Sequence, residues 1–163
     1  MICYLTDLYL KQKELDEEIA LNHHIDYPST RNKRILALLV EIGEFANTTR
    51  AFKFWSNKGM DSKDVILDEY ADGLHFILSL GLDLKFTPDT IEVIDDKLDL
   101  SDSILYCYQM VSEFIERQNP NNYLKMFMCY LRILFKLNYS WEDVSEAYYI
   151  KLKTNHHRQE NNY

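Results

Sequence analysis

Residues 37–47 read ALLVEIGEFAN and residues 65–81 read VILDEYADGLHFILSLG. The first stretch holds Glu41 and Glu44, and the second holds Glu69 and Asp72, so each carries two carboxylates three residues apart. Side chains three apart share one face of an α-helix. Large apolar residues that usually face a core border both pairs: Leu38, Phe45, Val65 and Phe76. The two stretches therefore predict two helices, each pointing a carboxylate pair in one direction.

If these helices pack antiparallel, the four carboxylates converge. Like charges in a partly apolar setting repel one another and raise one another's pKa values. A hard divalent cation removes that conflict, and oxygen-only ligands suit Mg²⁺. For one isolated pair, a solvated helix face is the ordinary interpretation. Two pairs on neighbouring helices, both bordered by apolar residues, favour a metal site.

Composition sets the fold class and excludes some functions. The chain has 163 residues, 47% of them apolar and 27% charged, which suits one domain over residues 1–163. Four glycines and three prolines leave few turn signals between strands, so helices joined by short loops are expected. The net charge of −8 argues against a broad nucleic-acid surface. A small phosphorylated ligand remains compatible with it.

Cysteines and the N-terminus indicate the compartment. Cys3, Cys107 and Cys129 are odd in number and lack C-x-x-C spacing, so neither a zinc site nor a disulfide framework is predicted. The first twenty residues lack the pattern of a signal peptide, and no apolar run reaches 18 residues. The expectation is a cytoplasmic protein without a membrane span.

Apolar periodicity predicts an all-α helical bundle of about six to seven helices. A short helix is expected to open at Thr87-Pro88, Gly59 is expected in the left-handed region, and Ser140 is expected to open the last helix with a capping box. The expected longer helices are 3–21, 33–54, 62–80, 102–117, 121–137 and about 140–153. Polar loops are expected at 22–32 and 56–63, and a polar tail after the last helix.

The stretch EIGEFANTTRAFKFWSNK (41–58), followed by LDEYADGLHFILSLG (67–81), resembles the dimeric, all-α dUTPases of phages, bacteria and trypanosomatids. These are relatives of the MazG-like members of the all-α NTP pyrophosphohydrolase superfamily. The tail resembles that family's closing motif through Tyr148, Lys151, Asn155, Arg158-Gln159 and Tyr163, and Gln12 with Asp16 loosely matches the opening motif. The resemblance runs from about residue 8 to the end and is weakest over the helical segment 92–140.

The resemblance implies a set of metal and phosphate ligands. Glu41, Glu44, Glu69 and Asp72 match the family's Mg²⁺ ligands, with more than one ion per site. Glu41 and Glu44 match the catalytic carboxylates, and Glu41 would orient or deprotonate the attacking water. The residues matched to the triphosphate and sugar are Lys151, Asn155 and Arg158, with Lys53 and Lys58 adding positive potential. Arg offers a fork of donors that suits a diphosphate leaving group, although terminal cations can also be merely solubilising.

The resemblance also implies a base pocket. Phe76 matches the aromatic residue that stacks on uracil, His75 lies close by, and Trp55 matches a tryptophan beside the pocket. Gln12 is the candidate for reading the uracil edge because an amide both donates and accepts, with Asn22 as a competitor. Each has an ordinary alternative: Phe76 as a core aromatic, His75 as a satisfied buried histidine, Trp55 as a helix-end anchor and Gln12 as a solvated residue.

The expected function is a Mg²⁺-dependent dUTP diphosphatase that produces dUMP and pyrophosphate, with dUDP as a second substrate, working as a homodimer. Two departures from the family pattern, Asn47 for Asp and Asn162 for Gly, leave the core ligands intact. The alternatives are a dCTP-specific or broad-specificity nucleotide pyrophosphohydrolase, and a phage protein that also binds a transcriptional repressor through 92–140.

Overall fold

The structure, a computed structural model, describes residues 1–161. Helix makes up 72% of it, in six α-helices beside one small two-stranded sheet, which confirms the predicted all-α bundle. A 3₁₀ turn, Tyr27–Thr30, leads into the second helix. The helices are α1 (Thr6–Asn22), α2 (Arg31–Thr49), α3 (Lys63–Asp83), α4 (Leu100–Glu116), α5 (Pro120–Leu137) and α6 (Trp141–Glu160), and the strands are β1 (Ile2–Tyr4) and β2 (Thr90–Glu92).

Helix α3 forms the centre of the bundle. It packs against α1, α2, α5 and α6, and most of its residues are buried. A helix that is apolar on nearly every side belongs inside a protein. Close approach to α5 requires Gly73, because a Cβ there would lie 2.3 Å from the Tyr130 hydroxyl. That hydroxyl donates to the carbonyl of Tyr70 at 2.8 Å, and the Tyr70 hydroxyl donates to the carbonyl of Tyr130 at 3.0 Å.

Helix α2 ends earlier than its sequence pattern predicts, at Thr49 and not near 54. Arg50 takes the left-handed conformation (φ 53°), and its N–H donates to the carbonyl of Ala46. The expectation that Gly59 occupies this region is wrong, since no glycine in residues 1–161 has a positive φ. The physical reason is that the chain has already turned at Arg50, whose side chain then holds Gly59 and Asp61.

The short helix expected at Thr87-Pro88 is also wrong, because the chain there forms strand β2. β2 pairs antiparallel with β1, placing Cys3 opposite Ile91. Ile91 and Val93 are buried while Thr90 and Glu92 are exposed, which is the alternation of a half-buried strand. Pairing of two short distant segments is a tertiary contact, and it also delays the start of α1 to Thr6.

Helix α6 begins with the capping box predicted at Ser140 but continues to Glu160, seven residues past the expected end. The tail that looked like a polar extension is therefore helical. Lys151, Asn155 and Arg158 are spaced four and three residues apart, so they share one face of α6. Asn162 and Tyr163, which belong to the matched closing motif, lie outside the described residues. No helix within residues 1–161 is long and apolar enough to cross a membrane.

Candidate active site

Three carboxylates from two helices converge at the contact between α2 and α3. Oxygen atoms of Glu41, Glu69 and Asp72 all lie within 4.8 Å of one another, and all three side chains are partly buried. Glu44 lies one helical turn beyond Glu41, is exposed, and stands outside this group. The structure thus brings together three of the four carboxylates that the sequence singled out, and we refer to Glu41, Glu69 and Asp72 as the carboxylate cluster.

The carboxylate cluster is electrostatically strained in the protein alone. Burial, together with the charges of Asp72, Glu44 and Glu69, raises the pKa of Glu41 to about 7. Burial and the neighbouring Glu44 and Asp72 likewise raise the pKa of Glu69. Burial raises the pKa of Asp72 as well, although Lys151 opposes that rise. The site therefore favours either protonation or a cation.

Lys151 brings positive charge from α6 to the cluster. Its ammonium lies 2.7 Å from an oxygen of Asp72 and 2.9 Å from an oxygen of Asp68, and the side chain is buried. Burial alone would lower the pKa of Lys151, but hydrogen bonds to Asp68 and Asp72 outweigh it and raise that pKa. Lys151 is thus held at the edge of the cluster by two carboxylates, one of which is a cluster member.

A cavity of about 230 Å³ connects the carboxylate cluster to helices α1 and α6. Five of the residues predicted to bind phosphate, sugar or base lie in its wall: Gln12, His75, Phe76, Asn155 and Arg158. Glu41 and Asp72 form part of the same wall. Residues that the sequence places more than a hundred positions apart therefore share one space.

The end of the cavity away from the carboxylates is a buried polar network. Gln12 donates from Nε2 to Asp16 at 2.8 Å, and its Oε1 lies 2.7 Å from His75 Nδ1. The Tyr148 ring stacks on the His75 ring with 4.3 Å between centroids. Among residues 1–161, His75 Nε2 and Gln159 Oε1 are buried polar atoms without a hydrogen-bond partner. Two unsatisfied polar atoms in one cavity wall indicate a place for a ligand.

Two predicted site residues lie away from this cavity. Trp55 is 65% exposed in the segment after α2 and contacts the rings of Phe52 and Phe54. Lys58 is exposed in the same segment. Asn22, the competitor of Gln12, is exposed and contacts the carbonyl of Gln159 at 3.5 Å. Their proposed roles stay predictions, and the geometry favours Gln12 over Asn22 at the base end.

Sequence reasoning assigned no role to the polar residues that support this site. Asp68 holds Lys151, and Ser79 and Tyr27 hydrogen-bond to Asp16, itself noted only as part of a motif. A signal was present in α3, where Asp68, Asp72, His75 and Ser79 follow one another at helical spacing through an otherwise apolar segment. A polar stripe on a core helix marks a functional face.

Comparison with known proteins identifies the family of the chain. No curated protein matches the chain. A family model described as dUTPase matches residues 4–163, nearly the whole sequence. The chain therefore belongs to the all-α dUTPase family, and its enzymatic activity is that of a dUTP diphosphatase.

Proposed function

We propose that this enzyme is a Mg²⁺-dependent dUTP diphosphatase that cleaves dUTP between its α and β phosphates, giving dUMP and pyrophosphate. The observation that carries the proposal is the single cavity bordered by the carboxylate cluster, by the cationic face of α6 and by a base-sized polar network. No other cavity described in residues 1–161 combines these three features.

The carboxylate cluster fits a hard divalent cation. It offers oxygen ligands only, which suits Mg²⁺ better than a softer metal. A divalent cation held there would supply positive charge against the phosphate oxygens of the substrate. We include Glu44 and more than one ion in the proposal, since the charge of Glu44 raises the pKa of both Glu41 and Glu69 and must therefore lie near them.

Side chains of the protein activate the attacking water and bind the sugar and the phosphates. Glu41, in the cavity wall, orients the attacking water and accepts its proton, because a carboxyl with a pKa of about 7 is suited to act as a base near neutral pH. Asn155 and Arg158 hold the sugar and the phosphates. Lys151 contributes a charge that phosphate can share with Asp68, and Lys58 adds charge from the segment after α2.

The base occupies the other end of the cavity. Phe76 lies in the wall with part of its surface accessible, which suits stacking on a pyrimidine. Gln12 and His75 supply polar atoms beside it. Trp55 is retained as a base-pocket residue on the basis of the family resemblance alone, and its rings cluster with Phe52 and Phe54.

A substrate panel tests the proposal. Purified protein is incubated with dUTP, dCTP, UTP and the other dNTPs, with Mg²⁺ or with EDTA, and pyrophosphate and nucleoside monophosphate are quantified. We expect dUTP to be converted to dUMP and pyrophosphate only with Mg²⁺. Preference for dCTP, or equal use of several nucleotides, would instead establish the rival pyrophosphohydrolase.

Metal binding has a readout that is independent of turnover. A ligand at a hundred times its Kd stabilises the folded state by about 2.7 kcal/mol, which in a domain of this size shifts Tm by roughly 5–10 °C. Mg²⁺ should therefore raise the Tm of the wild type and have little effect on Glu69→Gln. Equal shifts in both proteins would place the ion elsewhere.

A homodimer is part of the proposal. Exposed apolar side chains gather on α2, on α4 and on the segment that joins α2 to α3: Leu36, Val40, Phe54, Trp55, Leu105 and Ile115. α4 lies against α2 through the Tyr108 hydroxyl, which donates to the carbonyl of Leu39, and Ser101 ties the start of α4 to Ala51. These contacts make α2, α4 and the joining segment neighbours, and exposed apolar side chains gathered on neighbouring elements support an interface.

Sedimentation or light scattering with Leu36→Lys and Leu105→Lys tests this interface. Each variant should shift the protein from dimer toward monomer, because burying a lysine opposite its own copy is costly. Leu21→Lys serves as the matched control, since Leu21 is equally exposed but lies at the end of α1. A wild type that is monomeric at micromolar concentration would remove the dimer from the proposal.

The remaining expectations stay predictions of the family resemblance. They are hydrolysis of dUDP, a cytoplasmic location in a phage-infected or bacterial cell, and a repressor partner. In the segment 92–140 proposed for that partner, α4 and α5 are largely packed into the bundle. Its exposed aliphatic residues of large size are Ile94, Leu98, Leu105 and Ile115.

A further inference from the structure

We infer that Asp16 is a positioning residue for base selection. Through Gln12 it sets the tautomer of His75, which then presents an unprotonated Nε2 to the imide N–H of uracil. The inference rests on the proposed function, since it assigns the atom that contacts the base within that site. It concerns residues that do not touch the reacting phosphates.

The direction of the hydrogen bonds is fixed first at Arg34. A guanidinium only donates, and Arg34 donates to the hydroxyl of Ser79 at 3.0 Å and to its carbonyl at 3.1 Å. The Ser79 hydroxyl proton is thereby turned toward Asp16, whose Oδ2 lies 2.6 Å away. Tyr27 donates to the other oxygen of Asp16 at 2.8 Å. Burial raises the pKa of Asp16, while these donors and the charge of Arg34 oppose the rise. The ionised carboxylate that they surround is an acceptor only.

Asp16 in turn fixes the amide of Gln12. The Nε2 of Gln12 donates to Asp16 Oδ1 at 2.8 Å. Turning the amide over would set its carbonyl oxygen at that distance from a carboxylate oxygen, which is repulsive. Oε1 of Gln12 must therefore face the opposite way, where it lies 2.7 Å from His75 Nδ1 and accepts from the Tyr148 hydroxyl at 3.2 Å.

The orientation of Gln12 determines the protonation of His75. An amide oxygen only accepts, so the proton of the imidazole resides on Nδ1. The ring is neutral, because burial, reinforced by the nearby charge of Lys151, lowers the pKa of His75 to about 3 and outweighs a backbone contact with Tyr148 that raises it. Nε2 is then left with a lone pair. It is buried, it has no partner among residues 1–161, and the ring that carries it lies in the cavity wall.

A bare acceptor distinguishes uracil from cytosine. N3 of uracil carries a hydrogen that Nε2 can accept, whereas N3 of cytosine carries a lone pair that would face the lone pair of Nε2. A site built to hydrogen-bond one partner rejects the partner that leaves its buried group unpaired. The series of hydrogen bonds thus ends at His75 Nε2, an acceptor that matches the N–H donor of an imide. The series runs from Arg34 through Ser79, Asp16 and Gln12.

The tautomer is measured by ¹⁵N NMR on histidine-labelled protein at neutral pH, with the His75 signals assigned by comparison with His75→Asn. We expect a protonated Nδ1 and an unprotonated Nε2 in the free wild type. On addition of dUMP, the Nε2 signal should shift in the direction of an accepted hydrogen bond. A protonated Nε2, or a charged ring, in the wild type would overturn the inference.

The role of Asp16 is measured in the variant Asp16→Ala, with Glu17→Ala as the matched control on the exposed side of the same helix. In Asp16→Ala the amide of Gln12 is free to turn, so His75 should show a mixture of tautomers. The ratio of kcat/KM for dUTP to that for dCTP should fall about tenfold or more, while Glu17→Ala keeps the wild-type ratio. If Asp16→Ala does not fold, Gln12→Met should produce the same two changes.

The outcomes separate this inference from the function on which it rests. A wild type that does not hydrolyse dUTP refutes the proposed function and the base assignment with it. A wild type that hydrolyses dUTP and carries the opposite tautomer refutes this inference alone. An unchanged tautomer and an unchanged selectivity ratio in folded Asp16→Ala likewise refute it, because Asp16 then has no positioning role.

Discussion

The two ends of the cavity differ in how their polar groups are stabilised. At one end Glu41, Glu69 and Asp72 hold like charges within 4.8 Å and are only partly buried. At the other end Gln12 and Asp16 are almost fully buried and hydrogen-bonded to each other. The same part of the wall holds two buried polar atoms that have no partner among residues 1–161, His75 Nε2 and Gln159 Oε1. The first end is incomplete in the protein alone and calls for a cation, while the second is preorganised before any ligand arrives.

The pKa values of Glu41 and His75 show the same difference between the two ends. Burial raises the pKa of Glu41 to about 7 and lowers the pKa of His75 to about 3, so each group is driven toward its neutral form. Because one group is an acid and the other a base, their effects on the free energy of unfolding run in opposite directions with pH.

The largest expected effect belongs to the carboxylate end. Under the proposed function, Glu41→Gln should lower kcat for dUTP by roughly 10³-fold, since the variant would lack both a metal ligand and the base for water. Its Tm without metal should equal or exceed that of the wild type, because a repelling charge is removed. Pyrophosphate release and thermal melts in EDTA measure the two quantities. Hydrolysis at the wild-type rate would exclude Glu41 from the mechanism.

Lowering the pH should reduce the free energy of unfolding through His75, at the end of the cavity that is proposed to bind the nucleobase. The pKa of His75 is lowered to about 3 in the folded protein, so the unfolded chain binds the proton more readily between pH 6.5 and 3. The stability contributed is complete above pH 6.5 and falls as the pH drops through that window, by roughly 3–5 kcal/mol in all. Urea unfolding across this range should show a shallower loss in His75→Gln than in the wild type. His157→Gln, at an exposed histidine on α6, should behave as the wild type.

Lys151→Met should affect the two ends unequally. Loss of the charge that contacts Asp68 and Asp72 should reduce kcat/KM for dUTP about 100-fold, as for removal of one positioned electrostatic contact. The ratio of activity on dUTP to that on dCTP should be unchanged, because Lys151 makes no described contact with Gln12 or Asp16, and because burial, the larger of the two effects that keep His75 neutral, is still present in the variant. Steady-state kinetics with both nucleotides provide the test, and a changed ratio would show that the ends are coupled.

The smallest effect is the response of the metal-free carboxylate end to pH. With its folded pKa raised from 4.5 to about 7, Glu41 is protonated more readily in the folded protein than in the unfolded chain. Stability from this group is therefore present below pH 4.5 and lost as the pH rises to 7. Screening by solvent at this partly buried position limits the loss to about 1 kcal/mol. Melts in EDTA should show it in the wild type and not in Glu41→Gln, and Mg²⁺ should abolish it.

Much of the site was predictable because helical spacing is a local property. Glu69 and Asp72 share a face of α3 wherever that helix lies, and Glu41 shares a face of α2 with Glu44. The convergence of two such faces could be hypothesised from the sequence, although Glu44 proved to be exposed and outside the group. Short-range periodicity specifies which side chains share a helix face, and tertiary packing decides how deeply each side chain is buried.

Features that depend on distant contacts were not predictable in this way. Strand β2 forms because Ile91 pairs with Cys3, almost ninety residues earlier. The local sequence at Thr87-Pro88 does not predict this strand. The last helical turns of α6 similarly persist in a polar tail that docks on α1, where His156 contacts Glu18. Such pairings depend on where the chain returns, which a window of neighbouring residues does not contain.

The sequence by itself determined that the chain is a helical bundle, that acidic pairs lie on two of its helices, and that it resembles dUTPases through its acidic stretches and its tail. Only the tertiary structure decided that Lys151 lies against Asp72 and that Gln12 rather than Asn22 faces the cavity. It also decided that His75 Nε2 is buried without a hydrogen-bond partner among residues 1–161. The reason is physical: periodicity fixes the face of each helix, whereas the depth, partners and charge state of a side chain depend on what the other helices bring against it.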